Sequence, residues 1–447
     1  MTRLTLCLCA AILAASPDAA AATPKLQKGP YLVEVTDTAV DVRFELDTAV
    51  PADVELRPAG AAGDAAAART VVDGSASMHS VHATGLEPAT AYEYAVRVGG
   101  AVAGTGRFVT APRDDAKTPV TFLVYGDVRS GEATQAAIVR AMKETPSDFL
   151  VNTGDIVAAG GSAADWQEFF QLEEPLLRDR PLFLCIGNHE LSDDQAGTSF
   201  ARYFGFDGAG DGGTALLPYG TTRWGNARFF FLNGMHDWKQ GGERAWLERE
   251  LTRSDTEPGL VWRIAVVHHS AWSSGPHGGN AKLLDAKIPE LLAAHKVDLV
   301  LAGHDHIYER GEQGGSTPIK YVITGGGGAP LYPIEHRLPS TRKAESTYHF
   351  VEVTLNGTAL RLVAHRLDGT ILDSCGFTQG QPWDCDAPAK TGPSLDPTGQ
   401  APADPVAASS RCGCTVPGAR VGVALGAWLA LAGVVVAGVA RVRRRRG

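Results

Sequence analysis

Five apolar runs of this 447-residue chain each end in a residue able to hold a metal or move a proton. VTFLVYG delivers Asp127 and DFLVNTG delivers Asp155. PLFLCIG runs into Asn188-His189-Glu190, RIAVV into His268-His269, and VDLVLAG into His304-Asp305-His306. Three of these steps follow a glycine, at Gly126-Asp127, Gly154-Asp155 and Gly303-His304. Polar side chains at buried strand ends need partners, and carboxylate, amide and imidazole together are the donor set of a divalent metal centre. One intervening residue lets His304 and His306 serve neighbouring ions, and the two oxygens of Asp155 can bridge them. Ions held ~3.5–4 Å apart clamp an in-line displacement at phosphorus.

The elements that must position these residues are legible around them. Between residues 119 and 385 apolar strands alternate with amphipathic stretches such as EATQAAIVRAMKE, ADWQEFFQLEEPLL, ERAWLEREL and DAKIPELLAAHK, a pattern that predicts a layered α/β domain. In open α/β sheets ligands bind outside the carboxyl ends of strands, where all five blocks fall. Asn356-Gly357 and Asp368-Gly369 predict two closing hairpins. Gly325 to Gly328 lack the Lys-Ser/Thr that a phosphate-binding P-loop needs, so they predict a tight turn near the metal edge. Residues 25–112 alternate with the period of two expected of half-buried strands. Their Gly85-Leu86-x-Pro88-x-Thr90-x-Tyr92 stretch resembles a fibronectin type III domain, which implies a β-sandwich.

The five blocks, in their order, resemble the calcineurin-like metallophosphoesterase superfamily, and within it the purple acid phosphatases. The quoted matches are Gly126-Asp127, Gly154-Asp155, Gly187-Asn188-His189-Glu190, His269-Ser270-Ala271-Trp272 and Gly303-His304-Asp305-His306-Ile307-Tyr308-Glu309-Arg310. The resemblance implies an α/β/β/α fold, two metal ions drawn from iron, zinc or manganese, and hydrolysis of phosphate monoesters by a metal-bound hydroxide. Carried over, Asp127, Asp155 and His306 hold one ion, and Asp155, Asn188, His269 and His304 the other. His268 and His269 both sit at the strand end, and the resemblance favours His269. His189 is implied as the acid that protonates the leaving oxygen, with Glu190 orienting it and His277 contacting substrate. Two positions depart from the pattern. Arg129 stands where the superfamily has a histidine, and Ala158 where purple acid phosphatases have a tyrosinate. Without that tyrosinate no purple iron centre is expected. Arg129 is expected either to bind a phosphate oxygen, which suits its planar fork, or to pair with a carboxylate at the surface. Alternatives of the same chemistry are a phosphodiesterase or nucleotidase. The alternative from another class is a surface binding protein with a degenerate metal site.

The ends predict export. Arg3, an apolar run and an Ala-x-Ala pattern at residues 20–22 are the layout of a signal peptide over residues 1–22. Residues 386–411 are rich in proline and alanine and predict a disordered stalk. Residues 421–440 carry no charge, about the length that crosses ~30 Å of hydrocarbon, so a C-terminal transmembrane helix is expected. Arginines 441 and 443–446 follow, which places the body of the protein outside the cytoplasmic membrane. With Cys412-Gly413-Cys414 ahead of it, residues 412–447 resemble myxobacterial sorting tails, implying a sorting protease and a surface location; the alternative is a permanent membrane anchor. The formal charge of −9 disfavours a nucleic-acid scaffold. Loss of signal and tail would take it to −15, since six arginines lie beyond Cys412. Cys375 and Cys385 bracket a short loop and are expected to pair in an oxidising compartment, while Cys185 reads as a buried strand thiol.

Overall fold

The structure, a computed structural model, describes residues 24–60, 69–114, 118–207, 216–239, 242–314 and 318–385. The signal peptide, stalk and sorting tail expected from sequence lie outside these residues, and so does the expected span at 421–440. Among the described residues no helix is long and apolar enough to cross a membrane.

Strands β1 (Leu26–Val33), β2 (Ala39–Pro58), β3 (Arg69–Thr84), β4 (Ala91–Val98) and β5 (Ala101–Val109) come first. All five pair into one antiparallel sheet, where sequence predicts two sheets of a sandwich. The reason is the length of β2. It turns Val40, Val42, Phe44 and Leu46 inward, passes irregular register between Glu45 and Ala52, and resumes with Val54 and Leu56. Its first half pairs with β1 and its second with β4, while β3 follows it throughout. The Tyr92 hydroxyl accepts a hydrogen bond from Glu87 N at 2.9 Å, tying off the turn before β4.

The chain continues through β6 (Val120–Tyr125), α1 (Glu132–Glu144), β7 (Phe149–Asn152), α2 (Ala163–Leu177), β8 (Leu182–Leu184), α3 (Thr198–Phe204) and the short pair β9 (Phe206–Asp207) and β10 (Leu216–Leu217). Next come β11 (Gly220–Trp224), β12 (Ala227–Leu232), α4 (Gly242–Asp255), β13 (Trp262–His269), α5 (Ala281–Asp285), α6 (Ile288–Ala294) and β14 (Leu299–Gly303). It closes with β15 (Tyr308–Gln313), β16 (Ile319–Thr324), β17 (Thr341–Glu345), β18 (His349–Asn356), β19 (Ala359–Arg366) and β20 (Ile371–Thr378). The stretch read from sequence as one helix, DAKIPELLAAHK, is broken: Lys287 adopts a left-handed φ of 54° and Pro289 starts α6.

Two sheets stack. One runs β20-β19-β18-β6-β7-β8, the other β11-β12-β13-β14-β16-β15-β17. Their inner faces meet through aromatic rings, with Phe122 and Phe149 edge-on to Phe229 at 5.2 and 5.5 Å. Helices α1, α2 and α3 pack with the outer face of the first sheet through Ile138, Met142, Phe169, Phe170 and Phe204. Helices α4, α5 and α6 cover the second through Leu247, Leu251, Leu283, Ile288 and Leu292. These are the four layers expected from sequence. Strands β6 and β7 run parallel, as do β13 and β14, so their carboxyl ends open on one edge.

Candidate metal centre

Alternation along β13 decides which of its last two residues enters the site. Trp262, Ile264 and Val266 join the core between the sheets, whereas Ala265 and Val267 join the core under the outer helices. His268 continues the inner row. Its Nδ1 donates to Thr153 O at 2.8 Å, so in the neutral ring the Nε2 lone pair points at the site. That Nε2 lies 3.3 Å from Asp155 Oδ1, 3.1 Å from Asn188 Oδ1 and 3.2 Å from His304 Nδ1. Ligating atoms of Asp155, His268 and His304 all lie within 4.8 Å of one another. His269, favoured by the sequence resemblance, is displaced from this group: its Nε2 faces Gly278 O at 3.3 Å. The correction is by one residue, and its cause is strand parity. The larger residues of the Trp262, Ile264, Val266 row were the available sequence signal.

The two carboxylates arrive from the other sheet. Asp127 and Asp155 follow β6 and β7 with φ of 55° and 57°, and His304 follows β14 with φ of 70°. Left-handed backbone costs a non-glycine residue of order 1–3 kcal/mol and persists where the surroundings enforce it. The neighbouring glycines make the room. A Cβ on Gly303 would stand 2.3 Å from Asp127 Oδ2, and one on Gly187 would stand 2.2 Å from Asp155 Oδ1. The tetraglycine after β16 straps the Asp127 turn, with Gly327 N donating to Gly126 O and Ala329 N to Asp127 O. His304 N donates to both Asp127 oxygens, and His189 N to Asp155 Oδ1 at 3.0 Å.

His306 completes the row. Its Nδ1 donates to Pro330 O at 2.6 Å and its Nε2 lies 3.5 Å from Asp127 Oδ1. That Nε2 is buried with no hydrogen-bond partner. An orphaned imidazole lone pair facing a buried carboxylate fits a metal ligand. Electrostatics couple these groups to one another. Burial raises Asp127 to about 8, against the opposing pull of His268. In Asp155 the nearby His268 and His189 outweigh burial and hold the carboxyl below its usual range. Burial lowers His304 and His306, the latter to about 4, so both rings stay neutral as metal ligation requires.

His189 donates from Nδ1 to Ala158 O at 2.6 Å, which turns Nε2 toward Asp155 Oδ2 at 3.9 Å. Glu190 does not orient it, contrary to expectation. Its wholly buried carboxylate accepts from the backbone N–H groups of Asp155, Ile156, Val157 and Gly187 and so shapes the loops beneath the site. Arg129 lies at the site, with Nε 3.3 Å from Asp155 Oδ2. His277 is half-exposed, held by Asp305 Oδ1 at 2.8 Å, with its ring 4.4 Å from that of His304. Sequence reasoning passed over Asp305, buried between the two histidines, and Tyr332, whose ring stacks on His306 at 4.0 Å. Cys185 is buried in the core, as expected.

Comparison with known proteins agrees with this geometry. Residues 120–308 match the family of calcineurin-like phosphoesterases. The chain is similar to probable purple acid phosphatase 20 of Arabidopsis thaliana, with 30% identity over 50% of this chain and 53% of that one. It is 30% identical to Arabidopsis thaliana purple acid phosphatase 4 over 48% of this chain and 70% of that one. Among solved structures, a purple acid phosphatase from yellow lupin (Lupinus luteus) seeds superposes with a TM-score of 0.67 at 18% identity, covering 80% of this chain and 74% of that one. The chain spans about half the length of several of the curated relatives it matches. Sequence order, fold and converging donors lead to one conclusion: the chain belongs to the calcineurin-like metallophosphoesterases, on their purple acid phosphatase side.

Proposed function

We propose that the protein is an exported dinuclear-metal phosphatase that hydrolyses phosphate monoesters. The observation that carries this reading is the convergence of Asp127, Asp155, His268, His304 and His306 on one edge, with the buried Nε2 of His306 unpartnered. Asp127, Asp155 and His306 would hold one ion, and Asp155, Asn188, His268 and His304 the other. Bound there, two cations would activate water for in-line attack at phosphorus and offset charge on its oxygens. His189 protonates the leaving oxygen from Nε2, because Ala158 O keeps its other nitrogen occupied. Arg129 takes a non-bridging phosphate oxygen. Among the described residues its only ion-pair partner is Asp155, which leaves its terminal nitrogens able to donate. His277 lines the substrate side. Export, surface attachment and tail processing rest on the sequence of the two ends.

The test is metal analysis of the purified ectodomain with turnover of a panel of phosphomonoesters and diesters. Two ions of iron, zinc or manganese per chain and faster monoester hydrolysis are expected. Faster diester turnover would favour a phosphodiesterase. Metal-loaded protein inactive on every ester would leave the binding-protein alternative.

A further inference from the structure

Tyr332 lies in the loop that follows the tetraglycine, and three observations bind it to the centre. Its backbone N donates to His306 O at 3.2 Å. Its ring lies parallel to His306, 4.0 Å away with 11° between the planes. On its other side it meets His277 at 5.1 Å and 64°. Arg129, whose Nε lies 3.3 Å from Asp155 Oδ2, stands at the same edge. The phenol ring is thus fixed between a metal-ligand candidate and the residue on the substrate side. Meanwhile Ala158, where the related enzymes carry a phenol, offers the site only a backbone carbonyl, already taken by His189.

We infer that Tyr332 is a substrate-contacting residue, its hydroxyl and the Arg129 guanidinium together gripping the non-bridging oxygens of the phosphoryl group. Two donors of different shape suit this task. The guanidinium supplies charge and a planar fork, and the phenol a neutral O–H that costs little to desolvate beside the His306 ring.

This inference rests on the phosphatase reading, and the test separates the two. Tyr332→Phe keeps the stacked ring and removes only the hydroxyl. In the metal-loaded full-length protein, inorganic phosphate binding is measured by calorimetry beside metal content and steady-state kinetics. Expected are unchanged metal stoichiometry, phosphate affinity weakened about tenfold, and kcat/KM lowered roughly 10- to 100-fold. In a double-mutant cycle with Arg129→Gln, losses that are strongly non-additive would reflect one shared grip. Unchanged phosphate affinity in Tyr332→Phe would overturn the inference, and so would loss of a metal ion, which would make Tyr332 a ligand. A wild-type protein that binds phosphate through Tyr332 but hydrolyses no ester would defeat the phosphatase reading and leave the inference standing.

Discussion

Two adjacent histidines, chemically identical and one peptide apart, do different things. His268 sits wholly buried against Asp155, Asn188 and His304, while His269 faces Gly278 on the outer side of β13. The contrast gives a clean comparison. His268→Ala is expected to lose one metal ion and more than roughly 100-fold in kcat/KM, while His269→Ala keeps both ions and loses less than about tenfold. Elemental analysis of the two variants decides it, and the reverse result would restore the assignment drawn from the sequence resemblance. His189 belongs to the same scale. Its ring leaves the metal donors untouched, so His189→Ala should keep the metal and lower kcat by roughly 10²–10⁴-fold on substrates with poor leaving groups. Full turnover on such substrates would remove its assigned role.

At the scale of elements, the strands hold the donors and buried carboxylates hold the strands. Glu173 on α2 is wholly buried beneath β6 and accepts hydrogen bonds from Tyr125 and Gln135, at 2.9 Å each. Burial raises its carboxyl from 4.5 to about 7. A raised folded value means that its stabilisation is complete below the unfolded value and is lost as pH rises through the folded one. The loss spans roughly pH 4.5 to 7 and amounts to about 3 kcal/mol at most. Glu173→Gln should flatten that part of the stability profile relative to wild type. Denaturant midpoints measured between pH 5 and 8 on the metal-free protein would show it, and parallel profiles would refute it. Glu190 shapes the neighbouring loops in the same way, through four backbone N–H groups.

At the scale of the molecule, the N-terminal sheet is joined to the catalytic layers through buried polar contacts. Arg43 donates to Tyr203 O at 3.0 Å from within the sheet, Tyr31 donates to the same oxygen at 3.0 Å, and Tyr94 donates to Arg178 O at 2.8 Å. Arg43 also faces Asp41 at 3.6 Å, and both are nearly buried. Arg43→Ala removes the donor to Tyr203 O, while Asp41 keeps His82 and Ser80 as partners, and is expected to cost about 1–3 kcal/mol of global stability while leaving metal content intact. Two separated unfolding transitions in wild type would instead mean that the sheet and the catalytic layers fold independently. At the other end the Cys375–Cys385 disulfide forms as expected from the loop it brackets. Trp383 within that loop lies over Arg310 at 4.9 Å, and Arg310 in turn donates to Asp373. Arg310 therefore serves the closing hairpins and not the metal centre four residues before it.

The sequence by itself determined a good deal. Apolar runs ending in Asp, Asn and His report strands whose carboxyl ends carry ligands, because burial demands partners for polar groups. That local logic pointed to Asp127, Asp155, Asn188, His304 and His306, which the structure brings to one edge, and to the two closing hairpins and the layered α/β core. Resemblance favoured His269 over His268, and the packing of β13 against the other sheet places His268 in the group instead. The sequence could not separate Glu190, whose carboxylate is taken up by backbone N–H groups, from His189, whose Nε2 turns toward Asp155. Tyr332 and Asp305 carry no sequence signal as site residues. They reach the centre only because β14, β15 and β16 lie side by side and return their connecting loops to the same edge. Pairing between distant strands, and the parity each strand brings to it, is information that only the tertiary structure holds.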